Sequence, residues 1–340
     1  MRVGIMTGGG DSSGINAAIW AVVRRAHHYG WEVIGLRRGW AGLLERDTVP
    51  LSLEAVADIP YTGGTIIQTS RTNVFKIEKG PEKVLESIRA LGLDALIAMG
   101  GDDTLGVAHR LCQMGLPAVG LPQTIDNDIG ETDFSIGYDT AVSICTEAIR
   151  RMHSTNYSHQ QDMLVEVMGR DAGWIAVNAG LAGGCHYLCV PEVPVDVADL
   201  CKHLEARRAA GAPYSMVCVS EGVTLSSGSV AGETDAFGHA KPGGVANALA
   251  DDIKKETGVK PRVVILSYLQ RSGPPSSFDC LLGMRMGARA VDLLHEKAYD
   301  RMVAAKGGTL VPVPLAEALA RNRTVDIELY RLAQQLCREA

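Results

Sequence analysis

The chain has 340 residues, 46% apolar and 21% charged, with 38 glycines and a net charge of −6. That length suits two domains or one large α/β unit, and the acidic balance argues against a broad nucleic-acid or anionic-membrane surface while leaving room for a local basic pocket. No apolar run nears the roughly 18 residues needed to span a bilayer, a first strand at Arg2 leaves no signal peptide to expect, and eight scattered cysteines without a CxxC pair read as reduced core thiols of a cytoplasmic protein.

In chain order, "RVGIM" reads as a buried strand, followed by a helix over "INAAIWAVVRRAHHYG" that ends at Gly30, and by the strand "EVIGL". Then come the strand "DALIAMG", the helix "TLGVAHRLCQMG" and the strand "PAVGL". A long helix is expected from Tyr138 to His153, then the strand "MLVEVMG", the helix "AGWIAVNAGLAGG" and the strand "HYLCVPE". The helix "VADLCKHLEARRAAG" and the strand "YSMVCVSEG" follow, and the Gly/Ser-rich stretch 224–244 reads as a surface loop. Strand–helix alternation with short connections implies parallel sheets covered on both faces. Ligands of such folds bind beyond the carboxyl ends of the strands.

Polar clusters sit at those ends. "TGGGDSSG", between the first strand and first helix, is a glycine-rich turn at a helix N-terminus, a place where backbone N–H groups take an anion. It is neither a Walker A loop nor GxGxxG, and alone it equally fits a tight βα connection. "MGGDDTLG" places two aspartates at a helix start; one would serve as a cap, but the pair suits Mg²⁺, which needs only one or two protein carboxylates. "GLPQTIDNDIG", residues 120–130, sets Asp126 and Asp128 at a strand end, where a carboxylate can take a proton from a hydroxyl nucleophile. Together the clusters point to Mg²⁺-dependent phosphoryl transfer.

With these residues in hand, the stretches "TGGGDSSGINAAI", "GGTIIQTSRTNVF", "GGDDTLGVA", "TIDND", "VEVMGRDAGW", "VSEG" and "LQRSG" together resemble the phosphofructokinase A family, in the same order and at similar spacing, from Arg2 to about Leu294. The resemblance implies two doubly wound, mostly parallel-sheet α/β domains with the active site in the cleft between them. The phosphate-donor and Mg²⁺ domain would take 1–137 plus about 270–320, and the acceptor domain 138–269 plus about 321–340. It makes Asp126 the general base, with Asp128 shaping its loop, Thr124 bonding the transferring phosphate or acceptor, and Arg170 stabilising transition-state charge. Asp102 would hold Mg²⁺. Gly9, Gly10, Arg71, Thr72, Gly101, Asp103, Thr104 and Gln123 would form the donor site. Ile125, Met168, Gly169, Glu221, Tyr268 and Arg271 would line the acceptor site with Thr124, Asp126 and Arg170. Gln161 and Arg262 would reach a sugar phosphate from a neighbouring subunit, so a homodimer or homotetramer is expected. His159 reads as a structural hydrogen-bonder, and Trp40 and Trp174 as packing residues.

Three positions refine the expectation. ATP users resembling this chain carry glycine where it has Asp103, and pyrophosphate users carry aspartate; a carboxylate there crowds and repels a nucleotide α-phosphate, so pyrophosphate is expected ahead of ATP. At Gln123 the pyrophosphate users carry lysine and the ATP users glycine, so glutamine fits neither. At Gln161 the family carries a phosphate-reading arginine, and the loss of a charged hydrogen bond costs roughly 1.5–3 kcal/mol. The acceptor is then fructose 6-phosphate or a related sugar or polyol, with an ATP-dependent enzyme or a catalytically weak paralogue as alternatives. Trp20 and His153 stand where nucleotide-controlled relatives carry arginines, so no nucleotide control is expected.

Overall fold

The computed structural model describes residues 1–225 and 244–338. The expected loop at 224–244 falls on 226–243 for nearly all its length, outside the described residues. The chain forms two compact units. The first takes Met1–Thr140 and Arg271–Asn322; the second takes, of the described residues, 141–225, 244–270 and 323–338.

The strands, in chain order, are β1 (Arg2–Thr7), β2 (Glu32–Leu36), β3 (Thr48–Pro50), β4 (Ala95–Gly100), β5 (Ala118–Pro122), β6 (Met163–Val167), β7 (Tyr187–Cys189), β8 (Met216–Ser220), β9 (Arg262–Ile265), β10 (Arg301–Lys306) and β11 (Thr309–Pro314). The first unit holds a seven-stranded sheet in the order β11-β10-β5-β4-β1-β2-β3. Its five central strands run parallel, and β3 and β11 close the edges antiparallel. Side chains alternate between two cores: Val3, Ile5, Ile97, Met99, Val119 and Leu121 enter one, while Met6, Ile34, Leu36, Leu96, Ala98 and Ala118 enter the other. This both-face burial is why the strands read as unbroken apolar runs.

The second unit holds an all-parallel sheet in the order β7-β8-β6-β9. Each unit thus has the expected α/β, mostly parallel architecture. Chain order reverses between β1 and β4 in the first sheet, and in the second the connections leaving the adjacent strands β8 and β6 run in opposite directions; such a switch opens a crevice at the carboxyl ends.

The return of residues 271–322 to the first sheet is secured by helix packing. Helix Ser277–His295 lies against helix Ile15–His28. A Cβ on Gly283 would meet the Gly14 carbonyl oxygen at 2.6 Å, and one on Gly287 the Ala18 carbonyl oxygen at 2.4 Å, so glycine at both positions lets the backbones touch. Some boundaries differ from the sequence reading. The helix from Tyr138 runs on to His159. The run "HYLCVPE" yields only three strand residues, Tyr187–Cys189, because Pro191 lacks the N–H that a ladder needs. All eight cysteines are free thiols. No helix among the described residues is long and apolar enough to cross a membrane.

Candidate active site

The crevice of the first sheet is built by the loops that follow β1, β4 and β5. The Gly8 N–H donates to the Met99 carbonyl at 2.9 Å and the Gln123 N–H to the Gly100 carbonyl at 3.0 Å, so each loop is hung on its neighbour. Buried Thr104 packs beneath two of them: a Cβ on Gly8 would lie 2.6 Å from its Oγ1, and one on Gly100 2.5 Å from its Cβ. Thr104 is therefore a floor under both glycine turns. Asp102 and Asp103 occupy the first turn of helix Asp102–Cys112, after Gly101 at its N-cap. Their charge complements the positive helix end, and both carboxylates are only partly buried.

The loop after β5 carries the candidate base. Gln123, Thr124, Ile125, Asp126, Asn127 and Asp128 are all buried, Asp126 with 5% exposure. Thr124 Oγ1 accepts from the Asp126 N–H at 3.1 Å. Asn127 sits at φ 53, in the left-handed region that Asn tolerates better than most residues. Its side chain staples the loop: Nδ2 donates to the Asp133 carbonyl at 3.2 Å, and Oδ1 accepts from the Ser135 N–H at 3.0 Å. Ser135 Oγ donates to the Thr124 carbonyl at 2.7 Å.

The loop after β1 is gripped by residues from three places. Thr69 Oγ1 donates to the Gly9 carbonyl at 2.8 Å, Gln123 Nε2 to the Gly10 carbonyl at 3.0 Å, and Arg271 Nη1 to the Asp11 carbonyl at 3.0 Å. The Arg271 guanidinium fills the space a Gly10 Cβ would need, 2.6 Å from Nη1. Arg271, expected in the acceptor site, belongs to the first unit and lies against the loop after β1. Arg71 and Thr72 lie on the segment beyond Thr69, Arg71 on the exposed side. The stretch before Thr69 is fastened to the first helix by Asn16, whose Nδ2 donates to Thr62 Oγ1 at 2.9 Å and whose Oδ1 accepts from the Ile66 N–H at 2.9 Å. Ser12, Asn16, Thr69, Asn127 and Ser135 escaped the sequence reading; small polar residues in loops are too common to stand out.

In the second unit, Met168, Gly169 and Arg170 follow β6 and Glu221 follows β8. Glu221 Oε1 accepts from the Gly169 and Arg170 N–H groups, both at 3.3 Å. Gln270 Oε1 accepts from the Met168 N–H at 3.0 Å. Arg170 is held at φ 49, a strain of about 1–3 kcal/mol of the kind that collects at functional turns. Tyr268, just beyond β9, is 74% exposed.

Gln161 and Arg262 lie at the other end of that sheet. Arg262 opens β9 and pairs in register with Met163, the first residue of β6. The length of β6 separates this end from Met168, roughly 17 Å at the usual rise per residue. Gln161 is exposed on the rim of a depression of about 420 Å³ that Asp162, Arg208, Ser215 and Lys260 also line. Asp162 is turned inward: its carboxylate accepts from Arg208 Nη2 at 2.8 Å and from the Ser215 N–H at 2.6 Å. Trp40 is fully buried in the core. Trp174 donates through Nε1 to the Arg323 carbonyl at 3.0 Å, beneath that arginine's guanidinium at 4.0 Å. His159 is exposed at the last turn of its helix.

Among the described residues, no three His, Cys, Asp or Glu side chains gather into a metal cage. The adjacent carboxylates of Asp102 and Asp103 are a donor set that fits Mg²⁺, which keeps most of its waters and takes its other ligands from phosphates.

A family model described as Phosphofructokinase matches residues 2–294. The chain is 49% identical to a pyrophosphate–fructose 6-phosphate 1-phosphotransferase of Dictyoglomus thermophilum, over 97% of its own length and 96% of the relative's. It is 45% identical to an ATP-dependent 6-phosphofructokinase 2 of Streptomyces coelicolor, over 96% of each. The structure of phosphofructokinase from Saccharomyces cerevisiae superposes with a TM-score of 0.82 at 29% identity, over 94% of this chain and 45% of that one. With a family model covering most of its length and such relatives spanning nearly all of it, the chain belongs to the phosphofructokinase family.

Proposed function

We propose that the protein transfers a phosphoryl group from pyrophosphate to a hydroxyl of fructose 6-phosphate. The observation that carries this reading is the buried Asp126 loop hung on two glycine turns at the crevice of a doubly wound sheet. Asp126 would take the acceptor hydroxyl's proton, and Thr124 would hold the incoming phosphate or acceptor. Gly9, Gly10, Gly101, Arg71 and Thr72 would seat the donor, and Arg170 would meet the charge that develops in transfer. Positioning and charge neutralisation carry most of such a reaction. Asp102 would hold Mg²⁺, which when bound would neutralise phosphate charge.

Asp103 supports pyrophosphate: in the first turn of its helix, its carboxylate would repel the α-phosphate of a nucleotide. ATP is the second reading: an ATP-dependent relative is 45% identical, and the neutral amide of Gln123 fits neither donor class. Met168, Gly169 and Glu221 would hold the sugar. Gln161 and Arg262, at the opposite end of their sheet, would serve the site of a second copy of the chain.

The test is initial-rate transfer with Mg²⁺ and either pyrophosphate or ATP, across fructose 6-phosphate, other sugar phosphates, free sugars and polyols. Pyrophosphate with fructose 6-phosphate should give the highest kcat/KM. Good use of ATP with none of pyrophosphate would overturn the donor assignment, and a faster unphosphorylated acceptor would overturn the acceptor.

A further inference from the structure

Three successive carbonyls of the loop after β1 are each held by a different side chain: Gly9 by Thr69, Gly10 by Gln123 and Asp11 by Arg271. In a planar trans peptide the carbonyl and the following N–H point in opposite directions. Holding each carbonyl therefore turns the N–H that follows it, of Gly10, Asp11 or Ser12, away from the side chain that holds it. Gly9 at φ 84 and Gly14 at φ 111 bracket the segment, and helix Ile15–His28 starts directly behind it. A short run of N–H groups presented together ahead of a helix is an anion cradle.

Gln123 is the centre of this arrangement. It is 1% exposed, and its Nε2 donates to the Gly10 carbonyl at 3.0 Å and to Ser12 Oγ at 2.9 Å. Ser12 Oγ gives its own proton to the Ile136 carbonyl at 3.0 Å, so towards Gln123 it accepts. Turning the amide over would set its oxygen against two acceptors, which fixes its orientation. Through its backbone the same residue is bound to Gly100. Gln123 thus ties together the loops after β1, β4 and β5.

We infer that Gln123 is a positioning residue for the phosphate donor: with Thr69 and Arg271 it latches the carbonyls of Gly9–Asp11 so that the N–H groups of Gly10–Ser12 face a diphosphate. Its amide acts on the backbone rather than on the phosphate. This rests on the reading of the Gly9–Gly10 turn as the donor seat.

The test is calorimetric binding of methylenediphosphonate, a non-transferable diphosphate, with Mg²⁺, alongside steady-state kinetics. Gln123→Leu removes the donor at similar size, and Gln123→Glu places an oxygen where the Gly10 carbonyl needs an N–H. Both should weaken methylenediphosphonate, and raise the donor KM, by about ten- to a hundredfold, the usual consequence of misplacing a binding group by an ångström. The acceptor KM should stay within about twofold. If the latch is right, Gln123→Leu and Ser12→Ala should be non-additive in diphosphate binding. Should the buried Gln123 variants fail to fold, Thr69→Val tests the same latch at a half-exposed position and should show the same donor-only loss. Folded variants that bind methylenediphosphonate within twofold of the wild type would overturn the latch alone. A wild type that does not bind it would overturn the donor reading and the latch with it.

Discussion

Asp126→Asn removes one charge from the centre of the proposed chemistry and leaves the shape in place. The bonds that hold its loop run through the Asp126 backbone N–H to Thr124 Oγ1, and through Asn127 and Ser135. These contacts do not use the Asp126 carboxylate, and asparagine matches aspartate in volume. The loop should therefore keep its place, and the loss should fall on proton transfer. General-base catalysis is worth about 10²–10⁴-fold, or roughly 3–5 kcal/mol of barrier. At saturating donor and acceptor, kcat should fall by that factor while both KM values move less than about threefold. A melting curve run in parallel should shift little. A variant that keeps more than a tenth of wild-type turnover would remove Asp126 from the role of base. A fall in kcat accompanied by a large drop in Tm would move it from chemistry to architecture.

Asp103→Gly should open room for a nucleotide α-phosphate and raise the ratio of ATP to pyrophosphate kcat/KM at least tenfold; an unchanged ratio would show that Asp103 does not select the donor. Gln161→Arg should lower the KM for fructose 6-phosphate by about one to two orders of magnitude, the worth of a charged hydrogen bond. A wild type already above about 10⁵ M⁻¹s⁻¹ with no gain from arginine would mark the glutamine as harmless. His153 is hydrogen-bonded to the Tyr214 hydroxyl at 2.7 Å and the Gly183 carbonyl at 2.8 Å, so acceptor saturation should be hyperbolic and insensitive to ADP; sigmoidal curves relieved by ADP would contradict this. Burial pushes the Asp279 carboxyl up to about 6 from an ordinary 3.8, so the folded chain holds a proton that the unfolded chain releases. Its contribution to stability is complete below about pH 4 and is lost as pH rises through 6, up to about 3 kcal/mol. Asp279→Asn should flatten that part of the Tm profile, and an unchanged slope would exclude this carboxyl as its source.

The parallel architecture was legible because strands buried on both faces leave apolar runs that need no partner to be read. Glycines and aspartates at the carboxyl ends of β1, β4 and β5 were legible for a similar reason, since the rule that places ligands there is local in sequence. What stayed hidden depends on distant pairing. The docking of β10 beside β5 joins residues some 180 positions apart, and the seating of Gly283 and Gly287 on the first helix joins residues some 270 apart; no periodicity announces such contacts. Arg271 shows the same limit at the site. Its motif is recognisable, but only the folded chain brings its guanidinium to Gly10 and Asp11. Asp162 is the converse case. Beside Gln161 in the sequence it is one more negative charge, yet Arg208 and the Ser215 N–H take up its carboxylate.

Gln123 and Gln161 are the same residue type, each standing where the family resemblance leads one to expect a cation, and burial separates their meanings. Gln123 is enclosed, and both of its N–H groups are spent on acceptors of the neighbouring loop. A cation with no carboxylate partner would pay heavily for desolvation there until phosphate arrived. The neutral amide avoids that cost, but its work has moved from the phosphate to the peptide groups around it. Gln161 sits exposed on a rim, and an arginine there would carry little desolvation cost. Nothing in the fold therefore demands a neutral residue at this position. Substitutions at Gln123 should then disturb how the donor is seated, whereas substitutions at Gln161 should change which acceptor is preferred and leave the donor untouched.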